Sequence, residues 1–173
     1  EICFLGSYSR EPNIQAVEIL VEKIFPQLNN RVILNIVGKS LPTYILSTIK
    51  KNNRINYLGF VDDIDNFLST QMLMVAPIQI GAGVKMKIPH SLVCCTPVIT
   101  TDVGLEGIDI NEENGIWKTV DISEMVKLIN ELLPQNDLLI KKGNLGRNAV
   151  IKLFSEEKII SQYETLYSDL LKK

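Results

Sequence analysis

Two lysines, Lys85 and Lys87, stand directly behind a glycine turn, Gly81-Ala82-Gly83. A glycine turn that enters a helix offers free backbone N–H groups and the positive end of the helix dipole, a ready seat for phosphate. Two ammonium groups beside it carry charge that one diphosphate would satisfy. The competing reading of Lys85 and Lys87 is a solvated helix face. The segment is not a phosphate-binding P-loop, because GxxxxGK(S/T) is absent. It is not a dinucleotide fingerprint either: GAGVKM lacks the third glycine, and the first loop, GSYSRE, has no GxGxxG. The single histidine, His90, follows Pro89 in the apolar segment behind the turn, where a partly buried structural role competes with a binding role. No Ser-His-Asp constellation or GxSxG elbow is present. Asp62-Asp63 reads either as a metal-binding carboxylate pair or as a helix N-cap, and the cap is the simpler role.

These residues must be carried by regular elements. The stretch from Pro77 to Gly107 reads as strand end, glycine loop, helix, strand and loop, which is one βαβ unit with both loops at the carboxyl edge of a parallel sheet. Upstream, Ile2–Leu5 is a short strand stopped by Gly6. Apolar residues from Ile14 to Leu28 recur at spacings of three and four, giving a helix with Pro12 in its first turn. Arg31–Val37 is a strand stopped by Gly38, and Arg54–Leu58 is another stopped by Gly59. Short helices follow at Pro42–Lys51 and around Ile64–Leu68. Met72–Ala76 and Pro97–Thr101 are strands, and Gly115–Trp117 is a shorter one. Ile122–Leu133, Asp137–Leu153 and Glu156–Leu171 are amphipathic helices, and Lys172-Lys173 reads as a frayed tail. Pro89 either delays the start of the helix behind the glycine turn or kinks it.

Strand–helix alternation with short connections predicts an α/β fold, a doubly wound parallel sheet with right-handed crossovers and a helical C-terminal cap. Gly6, Gly38, Gly59 and Gly81 then fall at one edge, where open α/β sheets bind ligands. Each alone reads more simply as a tight turn; the four together, with the GAG turn and a lysine behind it, point to a binding cleft. A receiver-type regulator shares this sheet but needs carboxylates at the ends of the first and third strands, where this chain has Gly6-Ser7 and Gly59-Phe60.

The bulk composition bounds the rest. At 173 residues the chain is one domain, with 46% hydrophobic and 22% charged residues. A net charge of −2 gives no footprint for nucleic acid. No apolar run approaches the roughly 18–20 residues that span a bilayer, and no signal peptide is visible. Three cysteines, Cys3, Cys94 and Cys95, without CxxC spacing, read as reduced and buried in a cytoplasmic protein. The chain opens directly on a strand, as a piece of something longer would.

The run PIQIGAGVKMKIPHSLVCCTPVITTDVGLEGI resembles the donor-binding signature of the family 4 glycosyltransferases, a group of retaining GT-B enzymes. The likeness extends over the chain. It includes Gly6-Ser7 before Pro12-Asn13-Ile14-Gln15-Ala16-Val17, then Val37-Gly38, Leu58 through Asp63, and Gly146-Arg147 to Val150 with Phe154-Ser155. The resemblance implies that residues 1–173 are the Rossmann-like, nucleotide-sugar-binding half of a GT-B fold. An acceptor-binding half would precede Glu1, and any peripheral membrane association is expected only through it. It implies retaining hexosyl transfer from a nucleoside-diphosphate sugar to a saccharide or lipid-linked acceptor, in bacterial surface polysaccharide synthesis. It also implies no metal and no cofactor, with basic residues and helix dipoles holding the diphosphate instead.

By the same resemblance Gly59, Phe60 and Val61 lie near the base. Gly81, Ala82, Gly83, Val84 and Lys85 face the diphosphate, and Gly6 and Arg10 form the opposite wall. Gly38 lies on the same edge, His90 takes the ribose position, and Glu106 sits in the G-x-E-G loop near the sugar or its phosphate. The family's pattern carries two glutamates eight positions apart; this chain has Ala82 and His90 there. A non-catalytic GT-B-like structural or interaction module with a degenerate donor site is therefore the alternative, and an epimerase on a related scaffold is a third.

Overall fold

The computed structural model describes residues 1–171; the expected tail, Lys172-Lys173, lies outside them. Six strands form one all-parallel sheet: β1 (Ile2–Leu5), β2 (Leu34–Val37), β3 (Ile55–Gly59), β4 (Leu73–Ala76), β5 (Val98–Thr100) and β6 (Ile116–Lys118). Their spatial order is β3-β2-β1-β4-β5-β6. The doubly wound reading is borne out, and the order reverses between β1 and β4. The central strands are apolar on both faces because helices cover both. Ile2, Cys3, Phe4, Leu34, Ile36 and all of Leu73–Ala76 are buried.

Seven α-helices accompany the sheet among the described residues: α1 (Glu11–Glu18), α2 (Thr43–Ile49), α3 (Ile64–Ser69), α4 (Lys87–Val93), α5 (Ile122–Leu132), α6 (Asn136–Leu153) and α7 (Glu156–Leu171). The first departs from the expected single helix over Ile14–Leu28. After Glu18 the chain widens into a π-type segment, Ile19–Ile24, and tightens into a 3-10 turn, Phe25–Gln27. Pro26 supplies the reason. It has no N–H to give to a residue one turn back, and its ring would strike the carbonyl there, so the helix must change pitch before it. The apolar face survives the change, since Ile19, Leu20, Val21, Ile24 and Phe25 are all buried.

Strand β2 begins at Leu34 instead of Arg31, because its ladders with β1 and β3 begin at Ile2↔Leu34 and Leu34↔Ile55. The residues before it have no strand to pair with.

Asp63 is the N-cap of α3, its carboxylate accepting the Asn66 N–H at 3.0 Å, which settles the Asp62-Asp63 question in favour of capping. Asp63→Ala should cost about 1 kcal/mol in urea denaturation, and Asp62→Ala close to nothing. Equal effects would contradict this assignment. The helical C-terminal segment is also as expected. α7 has no buried residue, and Ile160, Tyr163, Leu166 and Tyr167 on it are exposed. Among the described residues no helix is long and apolar enough to cross a membrane.

Candidate functional site

A cleft of about 630 Å³ opens at the carboxyl edge of the sheet, between the loop after β1 and the segment after β4. Those strands are neighbours at the point where the strand order reverses. Their loops leave in opposite directions there, and the gap between them is the place where such sheets take ligands.

The segment after β4 is held by the strand beside it. Thr100 donates its hydroxyl to Ala76 O at 2.8 Å, and Thr101 donates to Ile78 O. The chain then makes an open loop, with Gly81 at φ +112° and Gly83 at φ +74°. The glycine turn does not run straight into a helix as expected: α4 starts only at Lys87. Pro89 explains the delay. As the third residue of α4 it lies in the first turn, where a missing N–H costs nothing, so the helix starts late and is not kinked.

The two lysines behave differently. Lys85 folds back on its own loop, its ammonium donating to Gly81 O at 3.2 Å, to Gly83 O at 2.7 Å and to Glu106 Oε2 at 3.0 Å. It therefore joins the glycine loop to the loop after β5. The hydrogen bond and charge of Lys85 hold the exposed Glu106 carboxyl below its usual range.

Lys87, the first residue of α4, turns into the cleft. Its Nζ donates to Asn13 Oδ1 at 2.5 Å and lies 4.4 Å from the centroid of the Phe4 ring. Asn13 in turn donates to Ser7 O at 2.8 Å, which fixes the amide's orientation. Among the described residues no carboxylate pairs with Lys87. Burial without a counter-charge lowers its pKa from the ordinary 10.5 to about 7.

Of the residues singled out from the sequence, the cleft gathers Gly6, Arg10, Gly81, Ala82, Val84, Lys85 and His90. Gly83 and Glu106 stand behind it through Lys85. Gly59, Phe60 and Val61 do not line it. Gly59 ends β3 and Phe60 and Val61 follow it, two strand spacings or about 10 Å along the same edge from β1. Phe60 is exposed there, with the Lys39 ammonium 4.2 Å from its ring centroid. Gly38 does not line it either, and packs beneath the Gly6 loop. Asn13 and the dominance of Lys87 were not read from the sequence. The Pro12-Asn13 pair was the available signal, since an amide in the first turn of α1 points along the sheet edge.

His90 is half-buried at the back wall of the cleft, its Nε2 lying 2.5 Å from Asp65 Oδ1 on α3. Cys94, one turn further along, has its thiol pKa raised by burial and by the nearby Asp65 carboxylate. Of the three free cysteines only Cys3 is buried; Cys94, packed against the edge of the core, and Cys95, where the chain turns sharply (φ +61°), are half-buried.

Comparison with known proteins gives this arrangement its relatives. A curated relative, the N-acetyl-alpha-D-glucosaminyl L-malate synthase of Bacillus anthracis, is 25% identical over 97% of this chain and 45% of its own length. Anabaena HepE, solved in complex with UDP and glucose, superposes with a TM-score of 0.78 at 20% identity, over 96% of this chain and 48% of its own. A variant of S. aureus TarM, solved with fondaparinux, alpha-GlcNAc-glycerol and UDP, gives 0.80 at 19% identity, over 96% of this chain and 35% of its own. The chain thus spans less than half the length of each of these relatives. The family described as "Glycosyl transferases group 1" matches residues 1–135, and the chain belongs to that family.

Proposed function

We propose that the cleft holds the diphosphate of a nucleoside-diphosphate sugar, and that the whole protein transfers the hexosyl unit, with retention, to a saccharide or lipid-linked acceptor. The observation that carries this reading is the Lys87 ammonium: half-buried, without a carboxylate partner among the described residues, and in a cleft that Arg10 also lines. A cation drawn partly out of water without a counter-charge is costly unless an anion completes it, and a diphosphate is the anion that the relatives' ligands support. As the bond from sugar to phosphate breaks, negative charge grows on the leaving diphosphate. A pre-set ammonium strengthens its interaction at that moment and lowers the barrier. In this arrangement Lys85 shapes the loop by tying the Gly81 and Gly83 carbonyls to Glu106, and supplies charge from behind. Base contacts would come from Gly59, Phe60 and Val61 further along the edge, and the ribose would lie near His90. The acceptor would be held by chain outside residues 1–173.

Titration calorimetry with UDP, GDP and ADP sugars tests the reading. One of them should bind, and Lys85→Ala should weaken it by roughly 10-fold, as the loss of one charge-assisted contact or its support does. If none binds at millimolar concentration, and neither lysine matters, the donor-site reading is overturned. A second reading, a non-catalytic module, draws on one observation: His90 is engaged by Asp65 instead of standing free for a ribose. That reading expects no sugar-nucleotide binding while the fold remains intact.

A further inference from the structure

Asp65, His90 and Cys94 place a carboxylate oxygen, an imidazole nitrogen and a thiol sulfur within 4.8 Å of one another. We propose that these three side chains bind a divalent cation of the Zn²⁺ class at the seam between α3 and α4. The site is built by two short helices. His90 and Cys94 are four positions apart, His90 within α4 and Cys94 its C-cap one turn on, so they face the same way. Asp65 stands in the first turn of α3 and meets them across the seam, 25 residues away in sequence.

The donor set selects the ion. Mixed sulfur, nitrogen and oxygen ligands suit Zn²⁺ or Co²⁺, and not the all-oxygen shells of Mg²⁺ or Ca²⁺. In a tetrahedral zinc site with bonds of about 2.0–2.3 Å the ligand atoms stand roughly 3.3–3.8 Å apart. Rotation of the largely exposed Asp65 side chain would open its 2.5 Å contact with His90 to that spacing. Three protein ligands leave a fourth position for water.

Charge balance agrees. Coordination displaces the Cys94 proton to solvent, and the resulting thiolate and the Asp65 carboxylate together neutralise a 2+ ion, with the imidazole bound neutral through Nε2. Without an ion the same carboxylate faces the thiol and disfavours its ionisation, so the trio is a poor cysteine nucleophile. Arg147, which donates to Val93 O at 2.7 Å, is the neighbouring cation and supports a thiolate there. A bound ion would tie α3 to α4 and hold the His90 ring against the cleft wall. The site does not depend on the nucleotide-sugar reading.

The test is titration of the chain with Co²⁺ alone, read by the thiolate-to-cobalt charge-transfer absorption, followed by displacement with Zn²⁺. One ion per chain is expected, with the band abolished in Cys94→Ser and the affinity lowered at least about 10-fold in Asp65→Asn, since even indirect partners of a metal are worth about 10–100-fold. Cys95→Ser should keep the band, because Cys95 Sγ turns away toward Asn144 Oδ1 at 3.6 Å. Circular dichroism establishes that each variant is folded; Asp65 is exposed, so its substitution leaves the core untouched. Absence of the band in the unaltered chain, its survival in Cys94→Ser, or its loss in folded Cys95→Ser would each overturn the proposal. A chain that binds Co²⁺ but no sugar nucleotide would leave this site standing and overturn the donor reading instead.

Discussion

Lys87→Met is expected to make the chain more stable and, at the same time, unable to hold a sugar nucleotide tightly. Methionine keeps the length and apolar character of the lysine stem, so contact with the Phe4 ring survives while the buried charge goes. Replacing a buried ion pair by apolar groups of similar volume is neutral to stabilising by about 1–4 kcal/mol, and removing this half-buried ammonium, which has no counter-charge, should stabilise the fold in the same direction. For a chain of this size each kcal/mol is worth about 2–4 °C in Tm. The opposite effect falls on the ligand. A hydrogen bond from a charged donor contributes about 1.5–3 kcal/mol, so the dissociation constant for a sugar nucleotide should rise about 10–100-fold. Thermal denaturation with and without the nucleotide reads both effects on one sample. A variant that loses stability and keeps affinity would show that Lys87 is a packing residue.

The same lysine sets a pH dependence of definite sign. Its folded pKa, about 7, lies below the ordinary 10.5, so between those values the unfolded chain retains a proton that the folded chain has released. This group's contribution to stability therefore rises with pH from about 7 toward 10.5, and is least favourable, and flat, below 7. Ligand affinity runs the other way. The groups facing Lys87 are Asn13 of α1 and Phe4 of β1, neither ionisable, with Arg10 and Lys85 the other cations of the cleft. An arriving diphosphate raises the lysine's pKa, so affinity should be full near pH 6 and fall above 7, with proton uptake on binding. The diphosphate of a sugar nucleotide has no ionisation of its own in that range. Lys87→Met should remove both slopes.

How much of this was legible in the sequence differs from residue to residue. The sheet was, because the strands are short β-branched or aliphatic runs, the first three stopped by glycine, and strand–helix alternation leaves few topologies. Pro89 was legible as a disturbance, whereas Pro26 was passed over inside an expected single helix; whether a helix widens, stops or merely starts late depends on what packs beside it. The division of labour between the lysines was not legible. Lys85 and Lys87 have the same chemistry, and what separates them is which one the start of α4 turns toward Asn13, a partner 74 residues away. The pairing of His90 with Asp65 was hidden for the same reason: the helix period places His90 and Cys94 on one face, but nothing local says that α3 lies opposite. Sequence reading also treated the strand-end glycines as equivalent, and the structure separates them by what surrounds each one.

Gly38→Ala should be the most damaging single change at this edge, while Gly59→Ala should be mild. Both glycines have positive φ, +136° and +65°, so local sequence ranks them alike. Around Gly59 a Cβ would meet nothing within 4 Å, leaving only the left-handed backbone penalty of about 1–2 kcal/mol. At Gly38 a Cβ would fall 1.7 Å from Gly6 O, 2.9 Å from Gly6 C and 3.0 Å from Tyr8 Cε2. The first of these is a bonding distance and belongs to backbone, so no rotamer relieves it. Gly38 cannot retreat either. Its N–H donates to Gly59 O at 2.7 Å, its carbonyl accepts from Tyr57 Oη at 2.8 Å, and the flanking Val37 O and Lys39 O accept from Gly6 N and Tyr8 N, both at 3.0 Å. One residue thus joins the loops after β1, β2 and β3. Moving it frees buried backbone groups at three strand ends, and losses of that kind exceed about 4 kcal/mol. Denaturant unfolding of the two variants should differ by more than about 2 kcal/mol, with Gly38→Ala the weaker. If both cost the same, Gly38 is only a turn. If Gly38→Ala instead keeps its stability and loses nucleotide binding alone, Gly38 touches the ligand directly, and the loop beneath the cleft must be more yielding than its hydrogen bonds imply.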